Sequence, residues 1–279
     1  CTTPWLTERH GYDPTYNKFA IKKLQKLEEA WAVFSPLTRL PYVACDPETF
    51  DDQIYLFAEE EACREFIKNL GEEKIPASVL KIPQAQLNGF LNSLYALDVN
   101  AVLFQDGSGQ SAIGVEELVK RPDMEKLAAS KIPVMNPALT LTMIYFLQEL
   151  RRPVQHDMAK LHELEEEMIV NLVKSSFILG IETINDEENT DPEKVNIKNV
   201  RIPFVKTKEG DIYQPLYSDF SEFRKYTARN PKKQRMSVLS LRQLPQFLVK
   251  ESKGYVLNPA GVNLVLTADQ LKRILNDYE

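Results

Sequence analysis

Three histidines, three cysteines, one glycine-rich turn and one basic run are where this 279-residue chain has residue types that could do chemistry. His156 and His162 stand six apart, about 240° round a helix, so they do not converge on one metal ion. The HELEE run from His162 to Glu166 has Glu166 where the zinc motif H-E-x-x-H has its second histidine, and it reads as a solvated helix face. His10 lies in a polar N-terminal arm. Cys63 reads as a small buried apolar residue. Cys45, beside Asp46 and Pro47, has no neighbouring base or cation to activate it. The loop Gln105-Asp106-Gly107-Ser108-Gly109 lacks the lysine of a phosphate-binding loop and reads as a turn. Residues 224–235, RKYTARNPKKQR, hold six basic residues and no acid, whereas residues 182–193 hold six acids and no base. Cations suit a helix C-terminus, so the basic run has a structural reading. Its functional readings are docking of an acidic partner and, less favoured because aromatics are not interleaved beyond Tyr226, anion or nucleic-acid binding. No catalytic, metal-binding or cofactor-binding residue is expected, and no cofactor.

Composition sets the frame for these residues. Apolar content of 43% and charged content of 27% are those of a globular protein of up to two domains. A net charge of −6 gives no general attraction for nucleic acid or anionic membrane, and no apolar run approaches the roughly 18 residues of a membrane span. Three cysteines are too few for a disulfide framework and point to a reducing, cytoplasmic compartment. The chain does not begin with methionine. Cys1 reads as a cloning remnant, with the lipid-bearing cysteine of a processed lipoprotein as the alternative.

The elements that must position these residues alternate between helix and strand. Phe19, Ile21, Leu24, Leu27 and Trp31 have helical spacing over Asn17 to Phe34, ended by Pro36. Strands follow at Leu40–Val43, Ile54–Phe57 and Ser78–Leu80, with helices after Glu59 and around Leu87–Leu94, then a hairpin from Ala101. Asn136 and Pro137 open a helix to Arg152 that is apolar on nearly every side and must be buried. It is expected to pack between two modules or into a homodimer. A second helix carries Met158 to Val173. The strand pattern then returns at Phe177–Ile181, Ile202–Val205, Ile212–Tyr217 and Met236–Leu239. Asp219 and Thr267 each precede a Glu or Gln by three residues, the spacing of a helix capping box.

The two halves repeat. KLQKLEEAW from Lys23 lies over KLHELEEEM from Lys160, LPYV over IPFV, YLFAEEEACREF over PLYSDFSEFRKY and SVLKI over SVLSL. The run from Ala101 to Val119 lies over Gly254 to Lys272. Their offsets are 137, 162, 160, 159 and 153 residues. The expected fold is α/β (α+β): two tandem similar modules of mixed sheet flanked by helices, at 17–125 and 154–279, joined by an apolar helical segment at 126–153.

The second copy, PFVKTKEGDIYQPLYSDFSEFRKY with SVLSL and GYVLNPAGVNLVL, resembles the amino-terminal domain of the enhanced serine sensitivity (SseB) family. The resemblance covers about residues 160–275 and rests on LYSD (Leu216 to Asp219) and LNP (Leu257 to Pro259); the first copy matches in element order only, with FAEE and QDG at those places. It implies a bacterial cytoplasmic protein of α/β fold, non-enzymatic, that binds a protein partner or small ligand in a regulatory role. An enzyme or enzyme accessory of serine or sulfur metabolism is the alternative. The candidate partner contacts are Tyr213, Tyr217, Tyr255, Asn258, Arg224, Arg229, Lys232, Lys233 and Arg235.

Overall fold

The computed structural model describes residues 14–120, 134–183, 200–228 and 234–278. The chain divides into two compact units, Cys1–Ala128 with Thr140–Glu165, and Ala129–Leu139 with Glu166–Glu279. The first contains α1 (Pro14–Lys26), β1 (Glu29–Ser35), β2 (Leu40–Pro41), β3 (Ala44–Cys45), β4 (Asp52–Phe57), α2 (Glu60–Glu72), β5 (Ser78–Pro83), α3 (Gln84–Ser93), β6 (Ala101–Asp106), β7 (Gly109–Gly114) and α4 (Val115–Leu118). Then come α5 (Pro137–Leu150) and α6 (Met158–Lys174). The second unit continues with β8 (Ser176–Thr183), β9 (Val200–Arg201), β10 (Val205–Lys206), β11 (Ile212–Tyr217), α7 (Phe220–Thr227), β12 (Arg235–Ser240), α8 (Leu244–Phe247), β13 (Gly254–Leu257), β14 (Leu264–Thr267) and α9 (Ala268–Asp277). No helix among the described residues is long and apolar enough to cross a membrane.

The two sheets have the same strand order. In the first, β5, β1, β4, β6 and β7 lie side by side; in the second, β12, β8, β11, β13 and β14 do. The β4–β6 and β11–β13 pairs are parallel, and the other pairings among the described residues are antiparallel. A parallel neighbour cannot be reached by a tight turn. Each chain half therefore leaves β4 or β11 through a helix, adds the far edge strand, and returns beside the strand it left. The middle strand of each sheet is buried along nearly its whole length, which is why Ile54–Phe57 and Gln214–Tyr217 lack a polar alternate position apart from Gln214.

Register tests the repeat residue by residue. Leu56 lies beside Phe104 as Leu216 lies beside Leu257, so the matches shifted by 160 and 153 are in register. The pairs Ala44–Gln53 and Val205–Tyr213 make the LPYV match a shift of 161, one less than the letters suggested. Ala32 lies beside Leu80 as Leu179 lies beside Ser237, so SVLKI and SVLSL are two residues out of step; Ile82 and Leu239, the buried residues of the two strands, correspond instead. The KLxxLEE match fails. KLHELEEEM lies wholly within α6, whereas α1 ends at Lys26 and Glu29–Ser35 is a strand, not helix. Ala30, Ala32 and Val33 are fully buried in β1, and a strand covered on both faces shows an unbroken apolar run in place of alternation.

The helix from Asn136 to Arg152 begins at Pro137 and is buried as its composition requires, with Leu139, Met143, Ile144, Phe146 and Leu147 all enclosed in the single chain. No second copy is needed to cover them, which removes the reason for expecting a homodimer through this helix. From Thr140 on it counts with the first unit. There the Gln148 carboxamide accepts from the Val43 N–H at 3.2 Å and donates to the Val43 carbonyl at 2.9 Å, as a neighbouring strand would. Tyr145 donates to Asp52, and Arg151 to the Leu37 carbonyl. Gln148→Leu keeps the packing and leaves two buried main-chain groups unpaired, at about 1–3 kcal/mol each. The expected result is a loss of about 2–6 kcal/mol in the unfolding free energy read from urea titration; a change below about 0.5 kcal/mol would assign this pairing no role.

Candidate functional site

The residues expected to meet a partner do not form one surface. Tyr217 and Tyr255 are fully buried. Tyr217 meets the Phe223 ring edge-on at 5.2 Å, and the Tyr255 hydroxyl donates to the Leu244 carbonyl at 2.7 Å. Burial raises both phenols well above the ordinary range. Asn258 is buried too, at φ 51°. Its side-chain oxygen accepts from the Ser218 N–H at 2.9 Å and its amide donates to the Ser218 hydroxyl at 2.8 Å. These three are core and clamp, because β11 and β13 end side by side and their carboxyl ends must be tied off. Tyr213 is half-buried on β11, and Arg224 and Arg235 are exposed. The Arg224 guanidinium lies 6.0 Å from the Phe220 ring centre. Arg229, Lys232 and Lys233 lie outside the described residues.

Burial pushes the Cys63 thiol up to about 12. Burial, with Asp52 and Asp51 adding, raises the Cys45 thiol as well, so neither is a ready nucleophile. Among the described residues no group of three or more His, Cys, Asp or Glu could hold a metal ion. In the glycine-rich turn, Asp106 accepts from the Ser108 N–H at 2.7 Å and from its hydroxyl, and lies 2.9 Å from Lys23 Nζ. Burial alone would raise this carboxyl, but those bonds outweigh it and hold it low. A carboxylate has taken the donors that a phosphate would use.

Open α/β sheets bind ligands at the carboxyl ends of their parallel strands. In the first unit that place is a pocket of about 450 Å³ beside Glu59, Ala62 and the 105–109 turn. The larger cleft, about 720 Å³, opens at the opposite end of the sheet. The 48–51 turn before β4, the 98–100 segment before β6, the end of β7 and the start of α4 surround it. Glu48, Asp51, Asp98, Glu116 and Glu117 are five carboxylates in its lining, and among the described residues no Lys, Arg, His or Cys lines it. Leu103 and Ile113 give it apolar wall; Asn17, Tyr95 and Asn100 add polar groups. Each of the last three is fixed: Asn17 donates to the Ala112 carbonyl at 3.0 Å, Tyr95 to the Val119 carbonyl at 2.7 Å and Asn100 to Asp51 at 2.8 Å. Sequence reading missed this cleft because its acids come from three separate turns, where each alone is ordinary turn or cap composition. A carboxylate lining attracts cations, and low-dielectric walls strengthen that attraction.

No family model matches the chain, and no curated protein matches it. Solved structures that are similar include two Tic22 proteins. Tic22 from Plasmodium falciparum is 12% identical, covering 92% of this chain and 96% of that one with a TM-score of 0.21. Anabaena Tic22 (protein transport) is 14% identical, covering 93% and 96% with a TM-score of 0.21. Superposition at that level supports no inference about this chain.

In the second unit, Asp219 caps α7 by accepting from the Glu222 N–H at 2.9 Å, and the Glu222 carboxylate is buried beside the 258–261 turn. A methyl group on Gly261 would collide with it. Burial is the main reason its carboxyl is raised; Asp219 adds to the rise and Lys225 opposes it. A raised carboxyl binds its proton more tightly folded than unfolded. Its stabilising contribution is full below the unfolded value, about 4.3, and is lost as pH rises through the folded value. Glu222→Gln should therefore raise the melting temperature near pH 7.5, with the gain vanishing near pH 4. Equal shifts at both pH values would separate the effect from this carboxyl's titration.

Proposed function

We propose that this chain is a non-catalytic protein that binds a protein partner in a regulatory role, through the cleft of its first unit. The observation that carries the proposal is that cleft's volume and lining: about 720 Å³, five carboxylates, fixed amides and a tyrosine, on rigid strand ends and turns. Carboxylates with no nucleophile, metal ligand set or cation beside them among the described residues suit recognition of a cationic surface better than turnover. The chain's net charge of −6 favours approach of the same kind of partner. The kinship with the SseB family and a bacterial cytoplasmic setting belong to the proposal as well. The element order of the second unit and the free thiols of Cys45 and Cys63 support them.

Ala112 is exposed on β7 and lines the cleft. Ala112→Trp puts an indole into the opening without removing any hydrogen bond made by a side chain. Affinity capture from native cells with wild type and with this variant, at equal melting temperature, tests the reading. The variant is expected to lose the partners that wild type retains. An unchanged partner set would remove the cleft from the account.

A further inference from the structure

We propose that the cleft of the first unit receives a lysine side chain from a linear segment of the partner, with Asp51 as its counter-ion; this rests on the partner-binding reading above. The second unit shows the interaction already made. Asn100 and Lys253 hold the same place: the Asn100 N–H donates to the Asp52 carbonyl at 3.1 Å and the Lys253 N–H to the Ile212 carbonyl at 2.8 Å. Their carbonyls in turn accept from the first residues of α4 and α9, Val115 and Ala268. By the same register Asp51 corresponds to Asp211. In the second unit Lys253 Nζ lies 2.8 Å from Asp211 Oδ1, an ammonium seated on the carboxylate. In the first, the residue is asparagine, and Asp51 accepts from a neutral amide at 2.8 Å.

Asn100 thus stands where the second unit has Lys253. At this position the first unit has kept the aspartate and lost the ammonium. An incoming lysine restores the pair in a cleft that is acidic on several sides, adding the attraction between opposite charges that the neutral amide does not supply. The partner is a chain segment, not a lone amine, because an apolar contact adjoins the cleft. Phe50 lies between the lining residues Thr49 and Asp51 and is 77% exposed. Its N–H donates to the Asp46 carbonyl at 3.0 Å, and the buried Asp46 carboxylate accepts from the Glu48 and Thr49 N–H groups. The turn therefore holds an aromatic ring in solvent between two residues that line the cleft, the kind of anchor that dominates interfaces.

The test uses the full chain and a fluorescein-labelled peptide of alternating lysine and phenylalanine, read by anisotropy at about 50 mM salt. Wild type is expected to bind it. Binding should weaken at least about fivefold when every peptide lysine is acetylated, in Asp51→Asn, and in Asn100→Lys, where the introduced ammonium occupies Asp51 as Lys253 occupies Asp211. Asp211→Asn, in the other unit, should leave binding unchanged. Melting curves report whether each variant folds. Two wild-type-like affinities, for Asp51→Asn and Asn100→Lys, would overturn the proposal. So would spermidine competing as well as the peptide at equal amine concentration. If acetylated peptide binds as tightly and Ala112→Trp abolishes that binding, the lysine assignment falls and the cleft reading stands. If no peptide responds to Ala112→Trp, both fall.

Discussion

The parallel pair at the centre of each sheet is the constraint on which the rest depends. A strand can take a parallel neighbour only after the chain has left the sheet and come back. In both units the excursion is a helix, an edge strand on the far side and a second helical stretch, and the return strand then closes the sheet with a hairpin. This puts two strand ends side by side twice, at the carboxyl ends of β4 and β6 and of β11 and β13. Main-chain groups that fan out there need partners. The positions most distinctive in the sequence, Asp106 and Asn258, are answers to that need.

The two answers differ in chemistry. In the second unit Asn258 adopts a left-handed backbone, which Asn tolerates better than most residues, and its carboxamide ties down Ser218. Glu222 then fills the space against Gly261. In the first unit Ala62 occupies the position of Glu222 and Asp106 folds onto Ser108, so a small pocket stays open at this end. One copy closes its strand ends with side chains from the helix, the other with its own turn. A backbone plan can be shared while the groups presented at its ends are not.

What could be read from the sequence follows the same division. The helix after Glu59, the capping pair Thr267 and Gln270, the Ala101 hairpin and the buried helix after Pro137 are local signals, and each was legible because neighbouring residues determine it. β1 was not. The Glu28-Glu29-Ala30 run at its start has helix-forming composition, Glu28 just preceding the strand, and Leu24, Leu27 and Trp31 continue the helical spacing of α1 across the break. What makes Glu29–Ser35 a strand is two neighbours far along the chain, β4 and β5. The tyrosines failed for a related reason. Alternation along β11 and β13 cannot say which face is covered, and both faces are, so Tyr217 and Tyr255 went inside. The cleft depends on three turns meeting in space, and no window of sequence contains them.

The rims of the two copies carry the functional argument because their backbones match and their charges do not. Lys253 is exposed and Asp211 partly so, and an ion pair this open to water contributes little to stability. Its presence in the second unit and absence from the first is therefore of small consequence for folding. The consequence is larger for recognition. A carboxylate with its own lysine offers a cation little, while Asp51, with Glu48, Asp98 and Glu116 around the same opening, carries the neutral Asn100 amide on Oδ1 in place of an ammonium. The attraction acts over about 10 Å at 0.1 M salt. Salt would weaken such steering first and leave the apolar contact at Phe50 in place, so the charge governs approach and the ring governs how long a partner stays.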